Sequence, residues 1–282
     1  MVKELKYQVI NGIKCYSLDV SQKYDNFPEE CVTDYQEVEN NFFWTKSRSR
    51  ILQQLVQKYI QFLPSKKFLE IGCHTGLFIN KLAIDKSLNI TGSEIYFKGI
   101  SYIKKMPNIE IIQYDVTQGV LPEKYDMVGS FDVLEHIDND TDAICNIYHM
   151  LNNNGYFILT VPQYMFLWSK HDEINKHKRR YSKQELLEKL KLQGFDIVFC
   201  SSFFFTLFPL MLISRLVDRC SRKEKTFNSN LKNIINFPLW VNWLFDKIMR
   251  IDETLISAGI SLPFGGSLLV IAQKKGSVVQ ER

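Results

Sequence analysis

The sequence has no C-x-x-C pair and no zinc-type spacing among its six cysteines, Cys15, Cys31, Cys73, Cys145, Cys200 and Cys220. A zinc ribbon, a dithiol redox motif and a disulfide framework are therefore disfavoured, and reduced, structural thiols are expected. No glycine-rich turn ends in Lys-Ser or Lys-Thr, which excludes a phosphate-cradling P-loop, and no G-x-G-x-x-G dinucleotide fingerprint occurs. Charge of one sign is scarce: 35 Lys and Arg stand against 31 Asp and Glu, a net +4. That excess is too mild to argue for nucleic acid, and the one basic run, Lys176–Arg180, lacks interleaved stacking aromatics. The densest apolar run, Phe203–Ile213, is too short for a membrane span and carries Pro209. Met1–Lys6 has no signal-peptide character, so a cytoplasmic chain is expected. No repeat or low-complexity tract is evident.

With 45% hydrophobic and 23% charged residues over 282 positions, the composition is that of one elaborated globular domain, or of a domain with a sizeable insertion. Its organising stretch is Lys67–Phe78. An apolar run ends in Glu70, a turn carries Gly72 and Gly76, and Leu77–Ile84 has helical spacing, which together read as the strand, loop and helix that open a βαβ unit. Leu88–Ile95 reads as a second strand ending at Glu94, and Ile109–Tyr114 as a third ending at Asp115-Val116. Tyr125–Phe131 is a fourth, followed by Asp132, Glu135 and His136 and a helix through Met150. Asn152–Gly155 reads as a turn before a fifth strand, Tyr156–Pro162. Phe195–Phe203 is a sixth strand and Gly266–Lys274 the last. Acids at three successive strand tips suit a ligand rich in hydroxyl and amino donors.

The spacing Glu70-x-Gly72-x-His74-x-Gly76 resembles the first motif of class I S-adenosylmethionine (SAM) methyltransferases, with His74 where that motif carries its middle glycine. The span 125–162 resembles the following motifs of the same group, which includes the ubiquinone-biosynthesis O-methyltransferases, and the likeness covers about residues 42–202. It implies an α/β, Rossmann-like, seven-stranded and mostly parallel sheet of order 3-2-1-4-5-7-6, with an antiparallel last strand, helices on both faces and a helical insertion before that strand. The cofactor implied is SAM. Its expected contacts are Glu70, Gly72, Cys73, His74 and Gly76 in the loop, Glu94 on the ribose hydroxyls with Ile95, Asp115 on the adenine amino group with Val116 on the ring, and Phe131 and Asp132 at the methionine end. In the ubiquinone enzymes a divalent ion is implicated at the positions of Asp132, Glu135 and His136. The reading preferred here is that Glu135 and His136 cap the helix and fix the cofactor loop, so no metal is expected.

Residues 1–50 read as an extension and lid, with a short hairpin or loops, a helix beginning near Val32–Tyr35, and Trp44 one turn before Arg48. Arg48 or Arg50 is expected to pair a carboxylate, and Arg48 joins the cofactor set. Residues 51–203 and 262–276 form the core, and 204–261 an apolar helical insertion. Val161–Ser182 follows the fifth strand, where α/β folds bind substrate, and resembles a segment of bacterial methyltransferases of surface-glycan and lipid-carrier pathways. Catalytic candidates are His171, His136 and Asp172, and substrate candidates are Trp44, Trp168, His177, Arg179, Arg180 and Tyr181, the arginines as a clamp for a phosphate or carboxylate. Ser182–Glu185 reads as a capping box for a helix over Glu185–Gln193. The insertion holds Phe237–Arg250, amphipathic with two tryptophans. It suits a bilayer interface with Arg215, Arg219, Arg222 and Lys223 at headgroup level, a lid on the sheet, or a dimer surface. The expected activity is methylation, at oxygen, of an amphipathic small molecule or lipid-linked glycan intermediate by a monomer or homodimer, without nucleic acid, at or near the inner face of the membrane. A SAM-binding, catalytically inactive membrane-associated module and an NAD-dependent oxidoreductase are the alternatives.

Overall fold

The computed structural model describes residues 3–23, 37–38, 40–100, 103, 106–220 and 237–276. A hairpin of β1 (Gln8–Ile10) and β2 (Ile13–Cys15) is followed by α1 (Leu18–Lys23) and α2 (Phe43–Ile60). There follow β3 (Lys67–Ile71), α3 (Leu77–Leu82), β4 (Asn89–Glu94), α4 (Phe97–Ile100), β5 (Ile109–Gln113), β6 (Tyr125–Phe131), α5 (Asp140–Met150) and β7 (Leu151–Pro162). After α6 (Lys170–Ile174), α7 (Lys183–Leu192) and β8 (Phe195–Phe203) come the insertion helices α8 (Phe208–Cys220) and α9 (Leu239–Ser257), and then β9 (Ser267–Lys274). The helix expected near Val32–Tyr35 lies outside the described residues.

The nine strands form one sheet in the order β1-β2-β5-β4-β3-β6-β7-β9-β8. From β5 to β8 this is the expected order, with β9 antiparallel to both neighbours. The expected count of seven is corrected to nine, because the N-terminal hairpin joins the sheet through a parallel pairing of β2 with β5. That hairpin covers an edge which would otherwise offer unpaired backbone groups. All seven residues of β6 are buried, as a central parallel strand covered on both faces requires. Alternate residues feed opposite layers. Val128 and Leu159 pack with Ile147 and Leu190 on one face, while Met127 and Ile158 pack with Leu55, Ile79 and Met249 on the other. Each such large apolar side chain contributes roughly 1.5–3 kcal/mol on burial.

Three local expectations change. Asn152–Gly155 is a bulge inside β7, not a turn ahead of it: the pairing jumps from Tyr125↔Leu151 to Met127↔Tyr156, and the Asn152 amide donates to Asp126 Oδ1 at 2.8 Å. Pro209 opens α8 instead of interrupting it, a first-turn place where its missing N–H costs nothing. The reciprocal capping box belongs to Ser169 and Asp172 at the start of α6, while Ser182 only accepts from Glu185 N, and α7 runs over Lys183–Leu192.

The insertion docks through apolar residues, Met249 and Ile256 among them, and also through polar ones. Arg50 on α2 pairs with Glu253 and Asp246 on α9, Ser47 donates to Glu253 at 2.7 Å, and Asp252 accepts from the Phe205 and Thr206 N–H groups. Arg50 therefore ties the lid helix to the insertion and does not face a cofactor. The outer side of α9 carries Trp240 and Trp243, 71% and 62% exposed, while Asp252 and Glu253 are buried. Among the described residues no helix is long and apolar enough to cross a membrane.

Candidate cofactor and acceptor site

The parallel strands β3, β4, β5 and β6 deliver their C-terminal ends to one edge of the sheet. After β3 the chain alternates into the left-handed region at Gly72 (φ 72°), His74 (φ 48°) and Gly76 (φ 73°). At Gly72 a Cβ would stand 2.7 Å from Val133 Cγ2, and at Gly76 one would stand 2.4 Å from Ile103 Cγ2. Both places need glycine for conformation and for space. His74 accepts the left-handed conformation at a cost of about 1 kcal/mol or more, and its backbone N–H donates to Glu94 Oε2 at 2.9 Å. The Gly72 and Cys73 N–H groups both donate to Ser93 O, which locks the loop against the neighbouring strand, and Cys73 and Glu70 are buried beneath it.

Glu94 stands at the tip of β4, where Oε1 also accepts from the Ile95 and Tyr96 N–H groups at 2.8 and 3.2 Å. Three of the roughly four lone-pair sites of the carboxylate are thus taken, so a grip on two hydroxyls requires the loop to yield one. Asp115, past β5, holds the Thr117 N–H and hydroxyl, and Val116 is buried beside it. After β6, Phe131 meets Phe78 edge-on. Asp132 is left-handed (φ 57°) and is held by the Thr160 hydroxyl and by an ion pair with Arg48. Arg48 therefore reaches the edge from α2, through a protein carboxylate. These residues offer acids for hydroxyl and amino donors and a backbone cradle, a donor set that fits a nucleoside with a cationic centre. Trp44 stacks on Phe204 and braces α2 against the insertion.

A second cluster lies beyond β7. Asp172 is fully buried and accepts from Arg180 Nε at 2.8 Å, His177 Nδ1 at 2.9 Å and Ser169 N at 2.9 Å. Burial acts to raise its pKa, but the hydrogen bonds of His177 and Arg180 outweigh it and hold the carboxyl well below the usual range. Asp172 is saturated and orients its neighbours. Arg180 spends a further donor on Gln163 O. Arg179 binds Asp138 O and Asp140, and the buried Tyr181 hydroxyl donates to Asp140 at 2.8 Å, so both anchor the loop to the start of α5 instead of opening into a pocket. The expected clamp of Arg179 and Arg180 is therefore already occupied by protein groups. Trp168 sits half-buried at the entry to α6.

Between the clusters stand Glu135, His136 and His177. Glu135 does not cap a helix: α5 is capped by Asn139, and both Glu135 side-chain oxygens are buried without a hydrogen-bond partner among the described residues. Burial pushes this carboxyl up to about 8. Burial, followed by the charge of His177, lowers His136 to about 4. Burial, followed by Arg215, lowers His171 to about 4 as well. The His136 and His177 rings meet edge to face at 4.8 Å. Among the described residues Glu135, His136 and His177 make the one group whose donor atoms, all within 4.8 Å, could take a divalent ion. Arg215, expected at headgroup level, turns inward and donates to Ser169 Oγ at 2.8 Å. The sequence signal for it was an arginine following the apolar first turns of α8.

A family model described as "Methyltransferase domain" matches residues 44–199, more than half of the chain. A probable S-adenosylmethionine-dependent methyltransferase of Mycolicibacterium smegmatis is 22% identical over 159 residues, 55% of this chain and 60% of that relative's length. Among solved structures, the [4+2]-cyclase SpnF superposes with a TM-score of 0.59 at 17% identity, covering 93% of this chain and 97% of the other. Phosphoethanolamine N-methyltransferase 2 of Haemonchus contortus, solved with SAM, gives 0.55 at 18% identity over 92% of this chain and 59% of the other. At these identities the two superpositions establish the fold.

Proposed function

Because the chain belongs to the methyltransferase-domain family, a class I fold whose cofactor is SAM, we propose that it transfers the methyl group of SAM to an oxygen nucleophile on an amphipathic acceptor. The observation that carries this reading is the convergence of the Gly72–His74–Gly76 loop on the Glu94 carboxylate at the ends of adjacent parallel strands. In it Glu94 takes a ribose hydroxyl, Asp115 the adenine amino group, and Asp132 the methionine end with Arg48 behind it. Bound SAM supplies an electrophilic methyl group, and in-line displacement then asks the protein mainly for positioning.

A hydroxyl acceptor must lose a proton, and His177 is the side chain best placed to receive it. Its Nδ1 is held by Asp172, which leaves Nε2 as the accepting atom, an arrangement in which the buried acid fixes the tautomer and orientation of the ring. His136 and His171, with pKa values near 4, are neutral at pH 7 but weak bases. His136 packs against His177. The outward tryptophans of α9 and the exposed Leu210, Ile213, Leu216 and Val217 of α8 support an acceptor, or a bilayer surface, with apolar character. His74 keeps the left-handed conformation that a glycine would hold, so it gives no support to an inactive module.

Calorimetric titration of the full chain with SAM and with NAD tests the assignment. SAM should bind and NAD should not, and Glu94→Ala should weaken SAM at least tenfold, the worth of about 1.4 kcal/mol. NAD heat without SAM heat would overturn the proposal.

A further inference from the structure

The buried charges around Asp172 do not balance. Arg180, 5% exposed, is paired to Asp172, and the other acceptor sites of that carboxylate are filled by His177 and Ser169. Arg215, half-buried on the inner side of α8, reaches the same carboxylate only through the Ser169 hydroxyl, which accepts from Arg215 Nη1 and donates to Asp172 Oδ2 at 3.3 Å. Among the described residues Arg215 makes no ion pair. Asp218, one turn on, acts on it only at longer range. Among the described residues Glu135 pairs with neither arginine, and Asp132 is already paired with Arg48. Two guanidinium groups therefore share one carboxylate, in surroundings that strip water from both. Burial and then the charge of Arg180 pull the Arg215 pKa down, outweighing the opposing charges of Asp172 and Asp218. A desolvated, uncompensated cation costs stability and is retained where a ligand completes it. One N–H of Arg215 is spent on Ser169, and among the described residues the rest of its fork has no acceptor and is open to an anion.

We propose that Arg215, backed by Arg180, is the recognition residue for an anionic group, a phosphate or carboxylate, on the methyl acceptor. The insertion thus brings a specificity residue to the mouth of the acceptor site, beside His171 and His177, and the clamp expected of Arg179 and Arg180 is supplied by Arg215 from another element. The proposal rests on the methyl-transfer reading for what the anion belongs to. The existence of the anion site does not depend on that reading.

The probe is inorganic pyrophosphate, titrated calorimetrically into the full chain at low salt with and without SAM. Wild type should bind, Arg215→Gln should bind about ten- to a hundredfold more weakly, Arg215→Lys should fall between, and Lys86→Gln, exposed at the opposite end of the sheet, should match wild type. SAM affinity should be equal in all four. Should Arg215→Gln fail to melt cooperatively, phenylglyoxal labelling of wild type mapped by mass spectrometry replaces it, with pyrophosphate shielding Arg215 but not the exposed Arg250. Flotation with phosphatidic-acid vesicles separates the sources. Recruitment lost in Arg215→Gln assigns the anion to a lipid headgroup, while pyrophosphate binding without recruitment assigns it to a soluble phosphate; either supports the proposal. Absence of binding to both probes, undiminished binding in Arg215→Gln, or absence of shielding overturns it. Pyrophosphate binding without SAM binding would instead sink the methyl-transfer reading and leave the anion site standing.

Discussion

Replacing Asp172 by asparagine changes one buried atom from acceptor to donor and leaves the shape alone. In the wild type, Asp172 Oδ1 receives Arg180 Nε and His177 Nδ1, and Oδ2 receives the Ser169 N–H. An asparagine satisfies one side of this pattern and turns an NH2 group against donors on the other. It also leaves Arg180, whose side chain is 4% exposed, as a buried charge without a partner. Removing one member of such a pair costs about 3–5 kcal/mol, and for a domain of this size each kcal/mol lowers Tm by about 2–4 °C. Asp172→Asn should therefore melt roughly 6–20 °C below wild type by scanning calorimetry, on the same two figures. The pH dependence has a defined sign. The folded pKa of Asp172 lies below its ordinary 3.8, so its contribution is fully present above about pH 4 and is lost as pH falls through the lower folded value. The gap between wild type and variant should be constant from pH 8 to about pH 5 and close below about pH 4. A double change with Arg180→Met should cost less than the sum of the single changes. A variant melting within about 2 °C of wild type, less than 1 kcal/mol on that scale, would refute the reasoning, as would a gap unchanged at pH 3.

Glu135 titrates in the opposite sense. Its folded pKa of about 8 against an ordinary 4.5 means that the folded chain is most stable with this carboxyl protonated, and that stability is lost as pH rises from about 4.5 through about 8. Glu135→Gln should remove that loss, so urea midpoints of variant and wild type should diverge over this window; parallel curves would refute the burial account. For the insertion, Trp240→Ser with Trp243→Ser should leave Tm within about 2 °C of wild type, since exposed substitutions rarely exceed ±0.5 kcal/mol, while lowering recovery with floated anionic vesicles. Equal recovery would remove the bilayer from the account.

What was legible in the sequence was local. The apolar run closed by Glu70, the glycines at 72 and 76, and the acids Glu94 and Asp115 sit next to the periodic segments that define their strands, so strand-end positions follow from periodicity and punctuation. The core order and the antiparallel β9 followed from the family likeness, while the hairpin's place at the sheet edge did not, because three-residue strands carry too little pattern. Charge partners were out of reach for a different reason. Arg50 meets Glu253 and Asp246, Arg180 meets Asp172, and Arg215 meets Ser169. A side chain's partner is set by which elements pack together, and the free energy that fixes it comes from burial across the whole domain. The sequence by itself determined the Rossmann-like core and the edge where the candidate cofactor residues gather. Only the tertiary structure decided that the basic loop is internally neutralised, that α9 turns its acids inward and its tryptophans out, and that an arginine from the insertion is left facing the site, because desolvation and pairing depend on neighbours distant along the chain.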